Sequence, residues 1–234
     1  VIENDLISNS DGIRVSYSEN NNISYNYAFN STSFLAFGIL INLNSHFNII
    51  ANNIILNTSG SHGHGICIED SNYNEVLRNI AQFNEGYGIK IDTSTNCIVV
   101  LNNLSANNDG CIDEVFSSSN TIGYNLCEEK LTSFTIDGDG SEGFTWEQAA
   151  QYGMVSGSGT YSHPYIIEEL DVDGQFEGSC ITISDSNVYY IIQNCTCINS
   201  GDEISDAGIN LKNARNGKLV QNNCSLNGNA GIIV

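Results

Sequence analysis

The chain has 234 residues, with 27 Asp plus Glu against seven Lys plus Arg, a net charge of −20. No basic stripe exists to neutralise phosphates, which excludes nucleic acid and anionic membrane surfaces as partners. No apolar run reaches the 18 residues a membrane helix needs, and with 15% charged residues the chain is not a disordered acidic tail.

A short phrase recurs from the first residue onward. "VIENDLISN" places Asn4, "ISYNYAFNS" Asn26, "IIANNIILN" Asn52 and "VLRNIAQFN" Asn79. "VVLNNLSAN" then places Asn102, "IGYNLCEE" Asn125, "IIQNCTCIN" Asn194 and "LVQNNCSLN" Asn222. A second asparagine tends to follow five positions later, as at Asn9, Asn57, Asn84, Asn107, Asn199 and Asn227. Each copy leads into a Gly-Ile-x-Ile phrase: Gly12–Val15, Gly38–Ile41, Gly65–Ile68, Gly88–Ile91, Gly208–Leu211 and Gly231–Val234. Alternation of this kind means strands with one buried face, and a helical repeat would need a 3.6-residue spacing that is absent.

Fixed-period copies of 22 to 28 residues made of short strands predict an all-β parallel β-helix. Counterparts on successive rungs then lie about 4.8 Å apart. The predicted ladder is Asn4, Asn26, Asn52, Asn79, Asn102, Asn125, Asn194 and Asn222, each inward at a bend and hydrogen-bonded to the asparagine above and below. The glycine before each isoleucine is expected to supply a positive φ. These repeats resemble the right-handed parallel β-helix family that includes NosD-like and pectin-lyase-like surface proteins. The resemblance covers residues 1–127 and 166–234, and the right hand is implied by it alone.

Residues 128–165 break the rhythm. Thr145 with Gln148 reads as a capping box, Trp146 to Tyr152 as a short helix and Gly153 as its stop. The expected organisation is therefore rungs over 1–127, a connector or cap over 128–165 with a helix at 146–152, and further rungs over 166–234. The first and last residues fall inside strand phrases with no visible signal peptide. Two readings follow: a slice of a longer β-helix protein, or copies arranged head to tail with Val1, Ile2, Ile232 and Val234 as stacking ends.

Chemistry-bearing residues are sparse. "GSHGHGI" with Lys90 is similar to the Gly-His-Gly and basic strand of polygalacturonase-type β-helix enzymes, but the preceding rungs offer no aspartate pair. Glu69, Asp70, Asp92, Asp109, Asp113 and Glu114 are candidates for calcium, as are "DGDGSEG" and "DVDG", where Asp-Gly turn formation competes. The NosD resemblance implies copper, for which His46, His62 and His64 lie in neighbouring rungs. Eight cysteines without a CxxC pair read as buried thiols or extracellular disulfides. Of six N-x-S/T sequons, Asn22, Asn30 and Asn57 sit at turns and are the expected glycan acceptors; Asn194 is expected to face inward.

The expected function is that of a structural extracellular or cell-surface protein, a filament or layer subunit with no catalytic set assigned. The alternatives are a polysaccharide-active lyase or hydrolase, and a carbohydrate-binding adhesin using aromatics such as Tyr17, Tyr25, Tyr27, Phe29, Phe34 and Phe37.

Overall fold

The structure is a computed structural model describing residues 1–127 and 130–234. Every strand pairing within the two sets of rungs is parallel, and each strand pairs with its counterpart one rung away. The chain forms two compact units, Val1–Glu129 and Lys130–Val234.

The first unit winds through three faces. Its first face stacks Asp5–Ile7, Tyr27–Phe29, Ile54–Leu56 and Ile80–Gln82. The second stacks the longer strands Ile13–Ser16, Phe37–Asn42, His64–Glu69, Tyr87–Asp92 and Gly110–Val115. The third stacks Asn22–Ser24, Ile49–Ala51, Glu75–Leu77, Ile98–Val100 and Thr121–Gly123. Alternation decides which side chains turn inward, so like residues stack. Ile39, Ile66 and Ile89 form one fully buried row, Ile41, Ile68 and Ile91 a second, and Ile50, Val76 and Val99 a third. A disulfide joins Cys111 to Cys127, with Cα atoms 5.8 Å apart, inside the range such a bridge accepts.

The glycine column has a different cause from the one expected. Gly38 and Gly65 are not in the left-handed region. Instead, a Cβ on Gly38 would lie 2.1 Å from Ile55 Cγ2 and 2.6 Å from Gly65 O, and one on Gly65 would lie 2.6 Å from Gly88 O. Glycine is required here because one rung's backbone rests on the next, not for its freedom of φ.

The second unit repeats the plan. One face stacks Lys130–Thr132, Asp171–Asp173 and Thr196–Ile198; a second stacks Phe134–Asp137, Ile181–Ser184, Ala207–Lys212 and Ala230–Ile233. The third stacks Tyr165–Glu168, Tyr190–Gln193 and Gly217–Val220. The expected connector over 128–165 is thus partly rung. Its first two residues, 128 and 129, lie outside the described residues, and its next two strands pair in register with later ones.

The remaining insertion carries the helix Trp146–Tyr152. Thr145 Oγ1 accepts from Gln148 N (3.2 Å), Gln148 Oε1 accepts from Thr145 N (2.8 Å), and Gly153 closes the helix at φ 75°. Trp146 stacks on Tyr165 at 4.9 Å, and its indole N–H donates to Ser186 Oγ (2.9 Å). Burying that indole with a hydrogen-bond partner pins the helix to the rungs of its own unit.

Candidate functional site

Each corner of a rung is built from two residues. The first adopts a left-handed φ and points outward; the second turns a short polar side chain inward. Tyr25, Asn52, Arg78, Leu101 and Tyr124 have φ of 57°, 56°, 52°, 61° and 53°. The residues after them are Asn26, Asn53, Asn79, Asn102 and Asn125, all at most 2% exposed.

These asparagines form a continuous ladder. Asn26 N and Nδ2 donate to Asn53 Oδ1 at 3.0 and 2.9 Å. Asn53 donates likewise to Asn79, Asn79 to Asn102, and Asn102 to Asn125, at 2.9 to 3.0 Å. Asn4 enters the ladder through Asn26 at 3.1 and 2.9 Å. The second Nδ2 hydrogen goes to a carbonyl, as from Asn53 to Ile23 O and from Asn79 to Ile50 O, both 2.8 Å. A buried amide satisfied this fully carries no desolvation penalty beyond the bonds it makes.

Two of the sequence-assigned positions lie outside the ladder. Asn52 occupies the outward corner, and its neighbour Asn53 takes the inward place. Asn194, at φ 55°, is exposed, and Cys195 follows it into the core, 1% exposed. Asn222 does face its rung neighbour, accepting from Cys195 N at 3.0 Å and donating to Ile192 O at 2.8 Å. Among the glycan candidates, Asn22 and Asn57 are exposed and Asn30 is half-buried, its amide donating to Ser8 Oγ at 3.2 Å. Val1, Ile2, Ile232 and Val234 are 58%, 53%, 45% and 90% exposed.

Further ladders escaped the sequence reading. Ser18, Ser45, Ser71 and Ser94 each donate their backbone N–H to the serine of the next rung, ending at Ser117, over 3.0 to 3.2 Å. Asn21 and Asn48 donate to Asn48 and Asn74 at 2.9 Å in the same way. The serine signal was present in the chain as a serine three or four residues beyond each of the first four Gly-Ile-x-Ile phrases.

The other candidates lie along the second face, where His64, Leu40 and Cys67 are buried. Phe37, His64 and Tyr87 form a row with ring centroids 6.1 and 5.8 Å apart. Beside it, Leu40, Cys67, Lys90 and Asp113 are in register, and Asp92 pairs with Glu69 across rungs. Lys90 Nζ lies 3.8 Å from Asp92 Oδ2. Burial, reinforced by the charges of Lys90 and His62 and opposed by Asp109, pushes the His64 imidazole down to about 4.

His62 and His64 lie together, ring centroids 6.1 Å apart, but no set of three histidines is placed to hold an ion among the described residues. His64 Nδ1 accepts from Tyr87 N (3.0 Å), and His46 Nδ1 accepts from Asn72 N (2.8 Å). Each neutral ring must then carry its proton on Nε2, leaving neither nitrogen with a lone pair for a metal. Among the described residues the one set of three or more His, Cys, Asp or Glu able to hold an ion is Asp137, Asp139 and Asp185, with oxygens within 4.8 Å of one another. Burial alone would raise the Asp137 carboxyl. Hydrogen bonds from Ser141 N and Oγ, Glu142 N and Asp139 N outweigh it and hold the group below its ordinary value.

No curated protein and no solved structure matches the chain. A family model described as "Periplasmic copper-binding protein (NosD)" matches residues 1–163. Among the described residues no set of three histidines or cysteines is placed to hold copper: His46 and His64 have Nδ1 engaged, and the three clustered carboxylates are hard oxygen ligands of the kind that suits calcium or magnesium. No helix is long and apolar enough to cross a membrane among the described residues. The match over 163 of 234 residues, on a chain wound into parallel rungs, shows that the chain belongs to the NosD family of right-handed parallel β-helix proteins.

Proposed function

We propose that this protein is a structural β-helix component outside the cytoplasm, a filament or surface-layer subunit in which copies stack rung on rung. The observation that carries the reading is the repetitive nature of the joint between rungs. Asn53 meets Asn79 through the same bonds by which Asn102 meets Asn125. An interface this generic serves between copies as well as within one, and a head-to-tail contact that does not close makes fibres. Glycans on Asn30 and the exposed Asn57 would project from corners, and one on the exposed Asn22 from the first residue of the strand Asn22–Ser24, without entering the ladders.

Electron microscopy of the purified protein over a concentration series tests the reading. Regular fibres are expected; discrete monomers at every concentration would overturn it. The carboxylates of Asp137, Asp139 and Asp185 support calcium as the accompanying ion. Calcium chloride is expected to raise the melting temperature over an EDTA control, and Asp139→Asn to remove the increase; equal melting temperatures would refute calcium binding.

A second reading is favoured by the half-buried rings of Phe37 and Tyr87 beside Lys90 and Asp92, which offer stacking surface and charged hydrogen-bonding groups to a polysaccharide. Monomers that bind or cleave a soluble polysaccharide in a Lys90-dependent way would favour it over the fibre.

A further inference from the structure

We propose that Cys197 and Cys224 form a second disulfide, clamping two successive rungs of the Lys130–Val234 unit. Thr196 and Asn223 are bridged in parallel, Cys197 N donates to Asn223 O, and Asn223 N donates to Cys195 O, both at 2.8 Å. That register sets Cys197 opposite Cys224 on the neighbouring rung. In-register neighbours in adjacent strands are separated by about 4.8 Å, within the roughly 4.4–6.8 Å that disulfide Cα atoms span. Each of the two thiols is the largest influence on the other's proton affinity, raising Cys197 and lowering Cys224.

The other thiols of this unit point elsewhere. Cys195 Sγ donates to Gln193 O at 3.3 Å and Cys180 Sγ to Ile198 O at 3.1 Å. Outside it, Cys67 lies in register with Leu40 and Lys90, and Cys97 N donates to Asn120 Oδ1, so neither has a thiol opposite. The Cys111–Cys127 bond and the periplasmic description of the family both belong to an oxidising compartment.

The chemistry is thiol–disulfide exchange with a small-molecule disulfide, RSSR. The Cys224 thiolate attacks one sulfur, giving Cys224–S–SR and RSH once the proton is returned. The Cys197 thiol then displaces the second RS group, forming the Cys197–Cys224 bond and another RSH. Two electrons pass to RSSR, and both thiol protons leave on the two RSH. The neighbouring Cys197 lowers the Cys224 thiol against the effect of burial, while Cys224 and burial together raise Cys197. Cys224 is therefore the entering nucleophile.

The test is peptide mapping of the full chain after equilibration with reduced and oxidised glutathione, followed by N-ethylmaleimide quenching in denaturant. Trypsin cuts after Lys212, Arg215 and Lys218, so Cys224 leaves on a different peptide from Cys197. The expected result is a cross-linked pair of these peptides that dithiothreitol separates. Cys197→Ser should abolish the pair, whereas Cys180→Ser and Cys195→Ser should retain it. Recovery of Cys224 as its maleimide adduct would overturn the proposal, whether or not Cys111 and Cys127 are protected. Survival of the cross-link in Cys197→Ser would also overturn it. Cys180, Cys195 and Cys197 share the tryptic peptide 131–212, so if a variant fails to fold, fragmentation of the wild-type cross-linked peptide assigns the bond, and assignment to Cys180 or Cys195 would overturn the proposal.

Discussion

Leu101, Arg78 and Tyr124 hold φ of 61°, 52° and 53°, a region that costs a side-chain-bearing residue about 1–2 kcal/mol. What offsets the strain is the residue that follows, because the corner delivers an asparagine amide into a continuous ladder. Asn79→Ala illustrates the stake. It leaves Asn53 N–H, Asn53 Nδ2, Ile50 O and Asn102 Oδ1 each short of a partner. A loss of about 3 kcal/mol or more is expected, read as a drop in the urea midpoint; a loss near that of an exposed Asn→Ala would show the ladder to be dispensable. The same pairing explains why Asn52 and Asn53 could not be told apart by spacing. At Asn52 the outward corner is itself an asparagine, whereas at Asn102 it is Leu101, and only the backbone conformation distinguishes them. Asn194 misled for the same reason, since a thiol at Cys195 fills the inward place.

At the level of elements, much was legible. The Gly-Ile-x-Ile phrases marked the second face, and the helix was announced by Thr145, Gln148 and Gly153. The strands Lys130–Thr132 and Phe134–Asp137 were not, because "KLTSFTID" lacks the asparagine corner that gave the other rungs their alignment. The role of the glycine column also depended on three-dimensional contact. Gly65→Ala would drive a Cβ against Gly88 O, the Ala81 Cβ at 2.8 Å and Asn84 Nδ2 at 2.9 Å. Backbone cannot yield there without opening the rung, so a loss of about 1–3 kcal/mol is expected. The check is thermal melting: an unchanged transition would show that rungs separate freely to admit a methyl.

For the molecule as a whole, the acidic composition told nothing of the fold yet bears on its pH range. His64 is lowered from 6.5 to about 4, so the unfolded chain binds this proton more readily. Its contribution is complete above pH 6.5 and is lost as pH falls from there toward 4, on the order of 3 kcal/mol in all. Asp137 is depressed, so its contribution is present above its unfolded value and disappears only as pH falls through its folded one. Acid also relieves repulsion within a chain of net charge −20, which works the other way. His64→Gln isolates the first effect: its stability is expected to vary less between pH 7 and 4.5 than that of the wild type, and parallel profiles would refute the assignment. Family and architecture were readable because repetition is a global signal. The donor sets were not, since they depend on which ring nitrogen a neighbouring backbone N–H has claimed.

The rung spacing has a mechanical consequence. Ladder partners are separated by 22 to 27 residues along the chain, and each rung is held chiefly by the next. Tension on one end loads a single seam at a time. Freeing one rung releases about 75–95 Å of slack while its neighbour stays closed. Such a solenoid yields under force as a ratchet of similar increments, absorbing work at each tooth, where a domain with one shared core gives way in a single rupture.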